Sequence, residues 1–185
     1  MKLHVVIAST RPGRLGTRIG QWFYEQANTH GGFETRLVDL AEVNLPFLDE
    51  PEHPSTGRYA HEHSRQWSAS VSEADAFVFV TPEYNYGMPA TLKNALDFLY
   101  HEWAYKPVGF VSYGGTSAGT RSVQMTKQVV TTLRMYPIGA TVAIPTRQYV
   151  EGGELRADQG LDDAAASVLT ELAATATALT PMRSA

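Results

Sequence analysis

The sequence predicts a doubly wound α/β protein with a five-stranded parallel sheet and helices on both faces. Short β-branched runs alternate with helix-length amphipathic stretches, a pattern that buries a parallel sheet between two helical layers. The predicted helices show a helical period, for example in the apolar stripe of Leu92, Ala95, Leu96 and Leu99. Right-handed connections between such strands place a ligand site at their carboxyl ends. The predicted strands are residues 3–8, 34–40, 76–80, 108–112 and 140–144, and the predicted helices lie near residues 16–29, 57–72, 90–103, 118–134 and 160–179.

Five of the loops between these elements are notable for their composition or length. Residues 9–18 lead from the first strand into the first helix, and the proline-containing segment 45–57 is a long solvated loop before the second helix. Residues 81–89 and 112–119 follow the third and fourth strands. Residues 148–160 precede the last helix and contain Gly152 and Gly153, so a hairpin or a flap is expected there.

Composition limits the possible functions. The 185 residues predict a single domain, residues 1–185, and 43% hydrophobic with 18% charged residues is typical of a globular chain. The chain contains no cysteine, so redox chemistry requires a bound cofactor. A net charge of −4 disfavours nucleic acid and anionic membranes as partners. The first residues form neither a signal peptide nor a membrane span, and we expect a soluble cytoplasmic protein.

The first loop, residues 9–18, concentrates hydroxyl groups, guanidinium groups and glycines before a helix. Phosphate oxygens are bound by this combination together with helix-terminal amides, and we predict Ser9, Arg11, Arg14 and Thr17 as phosphate ligands. A solvated helix start capped by Ser9 or Thr17 is the alternative. The loop lacks the lysine of a Walker A motif and the glycine spacing of a dinucleotide fingerprint, which favours a single terminal phosphate such as that of FMN.

The loops after the third and fourth strands are suited to a flat aromatic ring. Residues 81–89 contain prolines that stiffen the loop, and Tyr84 and Asn85 offer an aromatic face and hydrogen-bonding groups. In residues 112–119, Gly114 and Gly115 allow the backbone to approach a ligand closely. A rigid turn with packed aromatics is the alternative for the first of these loops. Ser112 is no hydrolase nucleophile, because Phe110 stands where the elbow motif needs glycine.

Three motifs carry a family resemblance. They are Ser9-x-Arg11, the segment Pro82-Glu83-Tyr84-Asn85 followed by residues 92–97, and Gly114-Gly115. Through them residues 3–145 resemble the NADPH-dependent FMN reductase family of flavodoxin-like proteins. The resemblance implies a sheet of order 2-1-3-4-5, non-covalent FMN, dimers or tetramers, and two-electron transfer from NADPH or NADH to quinones, free flavins or similar small-molecule acceptors.

Loop position and resemblance together give the candidate site. The chemistry belongs to the flavin, so no side chain is predicted to be catalytic. A flavodoxin-like electron carrier without turnover is the alternative function, and a phosphate-binding module without flavin is a third. The predicted cofactor-binding residues are Ser9, Arg11, Arg14, Leu15, Gly16, Thr17, Pro82, Glu83, Tyr84, Asn85, Ser112, Tyr113, Gly114 and Gly115.

Two further expectations concern metals and assembly. No metal site is predicted, since His61 and His63 are two residues apart on a predicted helix and no third ligand follows. The helix near residues 90–103 carries Phe98, Tyr100 and Trp103 in addition to its apolar stripe. A surplus of this kind predicts a homodimer with that helix and the one after Gly119 at the interface, unless Trp103 folds back under the loop that follows.

Overall fold

The computed structural model describes residues 1–183, and its centre is a five-stranded parallel sheet of order β2-β1-β3-β4-β5. This confirms the fold and strand order expected from the sequence. β3 is buried along its whole length, as expected for a central strand covered on both faces. The strands of this sheet are β1 (Lys2–Ile7), β2 (Glu34–Asp39), β3 (Ala76–Pro82), β4 (Pro107–Gly114) and β5 (Tyr136–Pro145).

Helices cover both faces of the sheet. One hydrophobic core includes Trp67, Leu92 and Val123, and the other includes Phe23 and Leu169 on the opposite face. No helix within residues 1–183 is long and apolar enough to cross a membrane. The helices are α1 (Gly16–His30), α2 (Leu40–Val43), α3 (Glu62–Glu73), α4 (Ala90–Asp97), α5 (Thr120–Thr132), α6 (Thr146–Tyr149) and α7 (Gln159–Arg183), with short 3-10 helices at Pro54–Thr56 and His101–Trp103.

The segment predicted as a helix over residues 57–72 starts later than expected. α3 begins at Glu62, because the Glu50 carboxylate accepts hydrogen bonds from the amides of Ala60 and His61 at 2.7 and 3.0 Å. Gly57 ends the preceding 3-10 turn with a left-handed φ of 66°. These long-range bonds hold the residues before α3 in an extended loop.

The helix predicted over residues 90–103 is also shorter, and the large side chains that it was expected to expose pack against the core instead, with Tyr100 partly buried. α4 ends at Asp97, after which the chain turns inward so that Phe98 and Trp103 are both buried. The Trp103 ring lies 5.1 Å from that of Phe77 between centroids, and its Nε1 donates to the Leu96 carbonyl at 3.2 Å. The expectation that Phe98 and Trp103 lie on a second, outward face is therefore wrong.

A short antiparallel hairpin occupies the loop before α7. Its strands are β6 (Val150–Glu151) and β7 (Glu154–Leu155), and Gly152 and Gly153 form the turn with φ of 60° and 83°. Arg18 Nε, near the start of α1, donates to Glu154 Oε1 at 2.6 Å. Of the two structures expected for residues 148–160, the hairpin is the one observed.

The two histidines before and within α3 lie closer together than the sequence suggested. His61 is the residue that precedes the helix, and its ring stacks on that of His63 with centroids 5.2 Å apart. His63 Nε2 pairs with a carboxylate oxygen of Asp49 at 2.9 Å. Among residues 1–183, no three His, Asp or Glu side chains are grouped as metal ligands.

Candidate functional site

The first loop begins with a buried hydroxyl at the carboxyl end of β1. Ser9 is fully buried, and its Oγ accepts a 3.4 Å hydrogen bond from the Arg11 amide. The same Oγ shares a 2.7 Å hydrogen bond with the Tyr84 hydroxyl of the second loop. Ser9 therefore ties the first loop to the second.

The N-terminus of α1 is open to an acceptor. Leu15 is the residue that precedes the helix and provides no side-chain cap, and the Thr17 hydroxyl instead donates to the Arg14 carbonyl at 3.3 Å. Neither Ser9 nor Thr17 caps the helix, in contrast to the alternative weighed from the sequence. Uncapped amides and the helix dipole together favour an anion at this position.

The two arginines of the first loop differ in their surroundings. The Arg14 guanidinium forms an ion pair with Asp39 at the end of β2, while its Nε is buried without a hydrogen-bond partner. Arg11 is exposed, and its side chain has no ion pair or hydrogen bond within residues 1–183. The guanidinium of Arg11 is thus free to bind a ligand.

Tyr113 connects the third loop to the first through its contact with Gly16. It is buried at the end of β4, and its hydroxyl forms no hydrogen bond of ordinary geometry. A Cβ at Gly16 would lie only 2.7 Å from that hydroxyl, so only glycine permits this close approach. Burial raises the pKa of Tyr113, and so does the neighbouring Tyr84, while Ser9 and Arg14 oppose the shift. The tyrosine therefore stays protonated and keeps a hydrogen to donate.

The second loop is a tight turn in a strained conformation. Tyr84 and Gly87 exchange two backbone hydrogen bonds of 3.0 Å, and Asn85 and Tyr86 have φ of 49° and 72°. A left-handed backbone is costly for a bulky residue such as tyrosine and requires support from its surroundings. The turn presents both tyrosine side chains to solvent at the carboxyl edge.

The third loop returns closely upon β4. Ser112 Oγ donates to the Ala118 carbonyl at 2.8 Å, and a Cβ at Gly119 would lie 2.7 Å from the Tyr113 amide nitrogen. Gly119, with φ of 82°, is therefore required for the loop to close. By contrast, a Cβ at Gly115 would have no neighbour within 4 Å. Gly115 lies on the open side of the loop, where a ligand has room.

The Glu83 carboxylate links the second loop to the third. It accepts hydrogen bonds from the Ser117 hydroxyl at 2.6 Å, from the Arg121 amide at 3.1 Å and from Arg121 Nη1 at 2.7 Å. Burial acts to raise the pKa of Glu83, but these hydrogen bonds outweigh it and hold the pKa below its usual value. Sequence reasoning missed Ser117 and Arg121, because no local pattern connects them to Glu83.

The three loops are consequently joined in pairs. Ser9 bonds Tyr84, Glu83 bonds Ser117, and Tyr113 packs under Gly16. A cavity of about 330 Å³ adjoins this assembly between α2 and α4, and it meets the first loop at Thr10. None of the predicted cofactor-binding residues lines that cavity.

The donor set fits the phosphate of FMN. An open helix N-terminus, the free Arg11 guanidinium and two buried polar atoms without partners, Arg14 Nε and the Tyr113 hydroxyl, all belong to or border the first loop. The open space at Gly115 and the exposed Tyr84 fit a flat ring beside it. The fold is that of a flavodoxin-like protein, and the donor set fits a site for a mononucleotide.

The chain belongs to the NADPH-dependent FMN reductase family, whose model matches residues 1–148. It is 41% identical over 155 residues to an NAD(P)H-dependent FMN reductase of Schizosaccharomyces pombe, covering 82% of this chain and 77% of that protein. It is 37% identical over 102 residues to an NAD(P)H:quinone oxidoreductase of Solanum tuberosum, covering 53% of this chain and 50% of the relative.

Among solved structures, the flavoenzyme NAD(P)H:(acceptor) oxidoreductase FerB of Paracoccus denitrificans has the same fold. Its TM-score is 0.70 at 19% identity, with 91% of this chain and 97% of that chain covered.

Proposed function

We propose that this chain is an FMN-dependent NAD(P)H oxidoreductase that passes two electrons from reduced nicotinamide to a small-molecule acceptor such as a quinone or free flavin. One observation carries the proposal: three loops from β1, β3 and β4 are joined in pairs around an uncapped helix N-terminus and an unpaired arginine. Family membership and the names of the FMN reductase and quinone oxidoreductase relatives support the donor, cofactor and acceptor classes.

Bound FMN would supply the hydride and electron chemistry, which a chain without cysteine cannot supply itself. The residues of the chain would bind FMN and orient its ring. The α1 amides, Ser9, Arg11, Arg14 and Thr17 would hold the phosphate, with Leu15 and Gly16 forming the backbone around it. Pro82 to Asn85 and Ser112 to Gly115 would border the ring, and the Tyr113 hydroxyl next to Gly16 would donate a hydrogen bond to the flavin.

The proposal extends to the whole protein. Residues 1–185 are one domain in the cytoplasm, and two copies form a homodimer, or four a tetramer. Phe98 and Trp103 lend no support to assembly, since both are buried within the protomer. Support comes instead from exposed apolar side chains next to the helices expected at the interface. These are Phe47 and Leu48 beside α4 and Met125 on α5.

Steady-state oxidation of NADPH or NADH tests the activity. We expect FMN-loaded protein to oxidise the nicotinamide in the presence of a quinone, and the rate to fall when FMN is removed. Protein that releases FMN on denaturation but gives no turnover with quinones or free flavins would be an electron carrier. Protein that binds no FMN would contradict the proposal outright.

A further inference from the structure

Arg121 contacts both ends of the short segment between Glu83 and Tyr86. Its Nη1 donates to Glu83 Oε1 at 2.7 Å, and its guanidinium carbon lies 3.8 Å from the centroid of the Tyr86 ring. A planar guanidinium is suited to both contacts at once, because its edge donates hydrogen bonds while its face stacks on an aromatic ring. The segment is thus clamped at its first and last residues by one side chain of α5.

The clamped segment is the strained one. Asn85 and Tyr86 have left-handed backbones, and such conformations persist where the surroundings over-determine them. Without the clamp, the 72% exposed Tyr86 ring has little else to hold it. The contacts of Arg121 therefore offset the backbone cost of the turn that presents Tyr84 and Asn85.

The Glu83 carboxylate is fully occupied by contacts within the protein. Its side chain is only 9% exposed, and both oxygens already accept hydrogen bonds from Ser117 or Arg121. These bonds run to the third loop and to the start of α5, and none of them runs to the first loop. The Glu83 side chain therefore links two loops, and only the backbone of Glu83 remains available to border the flavin ring.

We infer that Glu83 and Arg121 are positioning residues, which hold the Pro82–Gly87 turn in its flavin-binding conformation before the flavin arrives. This inference rests on the proposed function. If the turn is preformed, loss of the brace lowers the fraction of molecules ready to bind, and the apparent affinity falls by that fraction. The association rate then falls while the dissociation rate stays nearly constant. Loss of a direct ligand contact would instead raise the dissociation rate.

The experiment compares Glu83→Gln, Arg121→Gln and the double variant by stopped-flow mixing of FMN with flavin-free protein, followed by flavin fluorescence. Each single variant loses the contact between Glu83 and Arg121, and we expect its association rate with FMN to fall by about fivefold to tenfold. Dissociation should change by less than about twofold, and the double variant should be no slower than the worse single variant. Arg36→Gln is the matched control, because Arg36 also pairs with a glutamate, Glu73, but on the exposed surface at β2.

Unchanged association rates, faster dissociation alone, or effects that add in the double variant would each overturn the inference. If Glu83→Gln does not fold, Arg121→Gln carries the test, since Glu83 there keeps Ser117 and the backbone amide of residue 121. Hydrogen exchange in the flavin-free chain gives a second readout, with faster exchange over residues 82–88 expected in Arg121→Gln and no change in Arg36→Gln. If the unaltered protein fails to bind FMN, the proposed function itself fails, which is distinct from these outcomes.

Discussion

Arg11 and Arg14 stand three residues apart in the phosphate loop, but only Arg11 has a free side chain. Arg11→Ala should weaken FMN binding by about 1.5–3 kcal/mol, which is the range for a hydrogen bond to a charged group. Flavin fluorescence titration measures the change. Stability should be almost unaffected, because the Arg11 guanidinium has no partner in residues 1–183 to lose.

Arg18→Ala is the control for this titration. Arg18 lies at the start of α1, but its guanidinium points to Glu154 in the hairpin, and FMN affinity should stay unchanged. Equal affinities for unaltered protein and Arg11→Ala would refute the placement of the phosphate.

The two glycines of the third loop differ as test positions. A Cβ at Gly114 would lie 3.1 Å from the Gly119 amide nitrogen, so a substitution there disturbs the loop itself. Gly115→Val meets only open space and should leave the melting temperature near that of the unaltered protein while blocking the flavin ring. If Gly115→Val keeps full FMN occupancy at a native melting temperature, the ring does not lie against this loop.

At the level of single residues, the phosphate loop can be proposed from the sequence because its chemistry is local. Hydroxyls and guanidiniums crowded before a helix indicated the phosphate loop, and the structure shows that helix start without a side-chain cap. The brace on Glu83 could not be predicted, because Arg121 is 38 residues away and nothing in either segment indicates the other. The left-handed backbone at Asn85 and Tyr86 could not be predicted either, because the Arg121 side chain that supports it is equally distant in the sequence.

At the level of elements, the strands were easier to predict than the helix ends. Strand cores follow from runs of β-branched residues, whereas α4 ends early because Trp103 packs on Phe77 from a distant strand. α3 starts late because Glu50 binds two amides that a longer helix would have used. In both cases a tertiary contact overrides the local helical period.

Lys106 stabilises the C-terminal end of α3 and gives a pH-dependent prediction. Its Nζ donates to the carbonyls of Val71 and Ser72 at 2.8 and 3.1 Å. Burial, assisted by the charge of Arg183, lowers the pKa of Lys106 from 10.5 to about 8. Between these values the unfolded chain binds more protons than the folded chain, so the contribution of Lys106 to the free energy of unfolding rises with pH.

Urea unfolding of unaltered protein and Lys106→Met at pH 7 and pH 10 measures this contribution. The difference in unfolding free energy should shift in favour of the unaltered protein at pH 10, by up to about 3 kcal/mol at roughly 1.4 kcal/mol per pKa unit. A difference that is constant with pH would show that Lys106 titrates normally. Contributions from other groups that ionise between pH 7 and pH 10 cancel, because both proteins contain them.

At the scale of the whole molecule, the sheet order agrees with what the resemblance implied. The homodimer was predicted from the expectation that Phe98 and Trp103 are exposed. This expectation is wrong, since both side chains lie in the protomer core. Whether a large apolar side chain turns inward depends on the path of the chain after α4, which no local pattern records.

The prediction of a homodimer is therefore supported by other exposed apolar side chains. Phe47 is 86% exposed on a loop anchored to α4, where Asn94 Nδ2 donates to the Pro46 carbonyl at 2.7 Å and Asn94 Oδ1 accepts from the Leu48 amide at 3.0 Å. Leu48 next to Phe47 is also exposed, and apolar side chains grouped on the surface in this way favour an interface. Light scattering should give a dimeric or tetrameric mass for unaltered protein and a smaller mass for Phe47→Glu.

Tyr136→Glu serves as the control for this measurement, because Tyr136 is also exposed but lies at the amino end of β5. A monomeric mass for unaltered, FMN-loaded protein at micromolar concentration would rule out the dimer.

Anaerobic mixing of FMN-loaded protein with NADPH or NADH tests the central claim most directly. The account predicts that the visible absorption band of the bound flavin is lost with one equivalent of reduced nicotinamide and returns when a quinone is added. Arg121→Gln, once loaded with FMN, should show the same two changes, because its effect is on flavin association. A bound flavin whose absorption is unchanged by both NADPH and NADH would contradict the account.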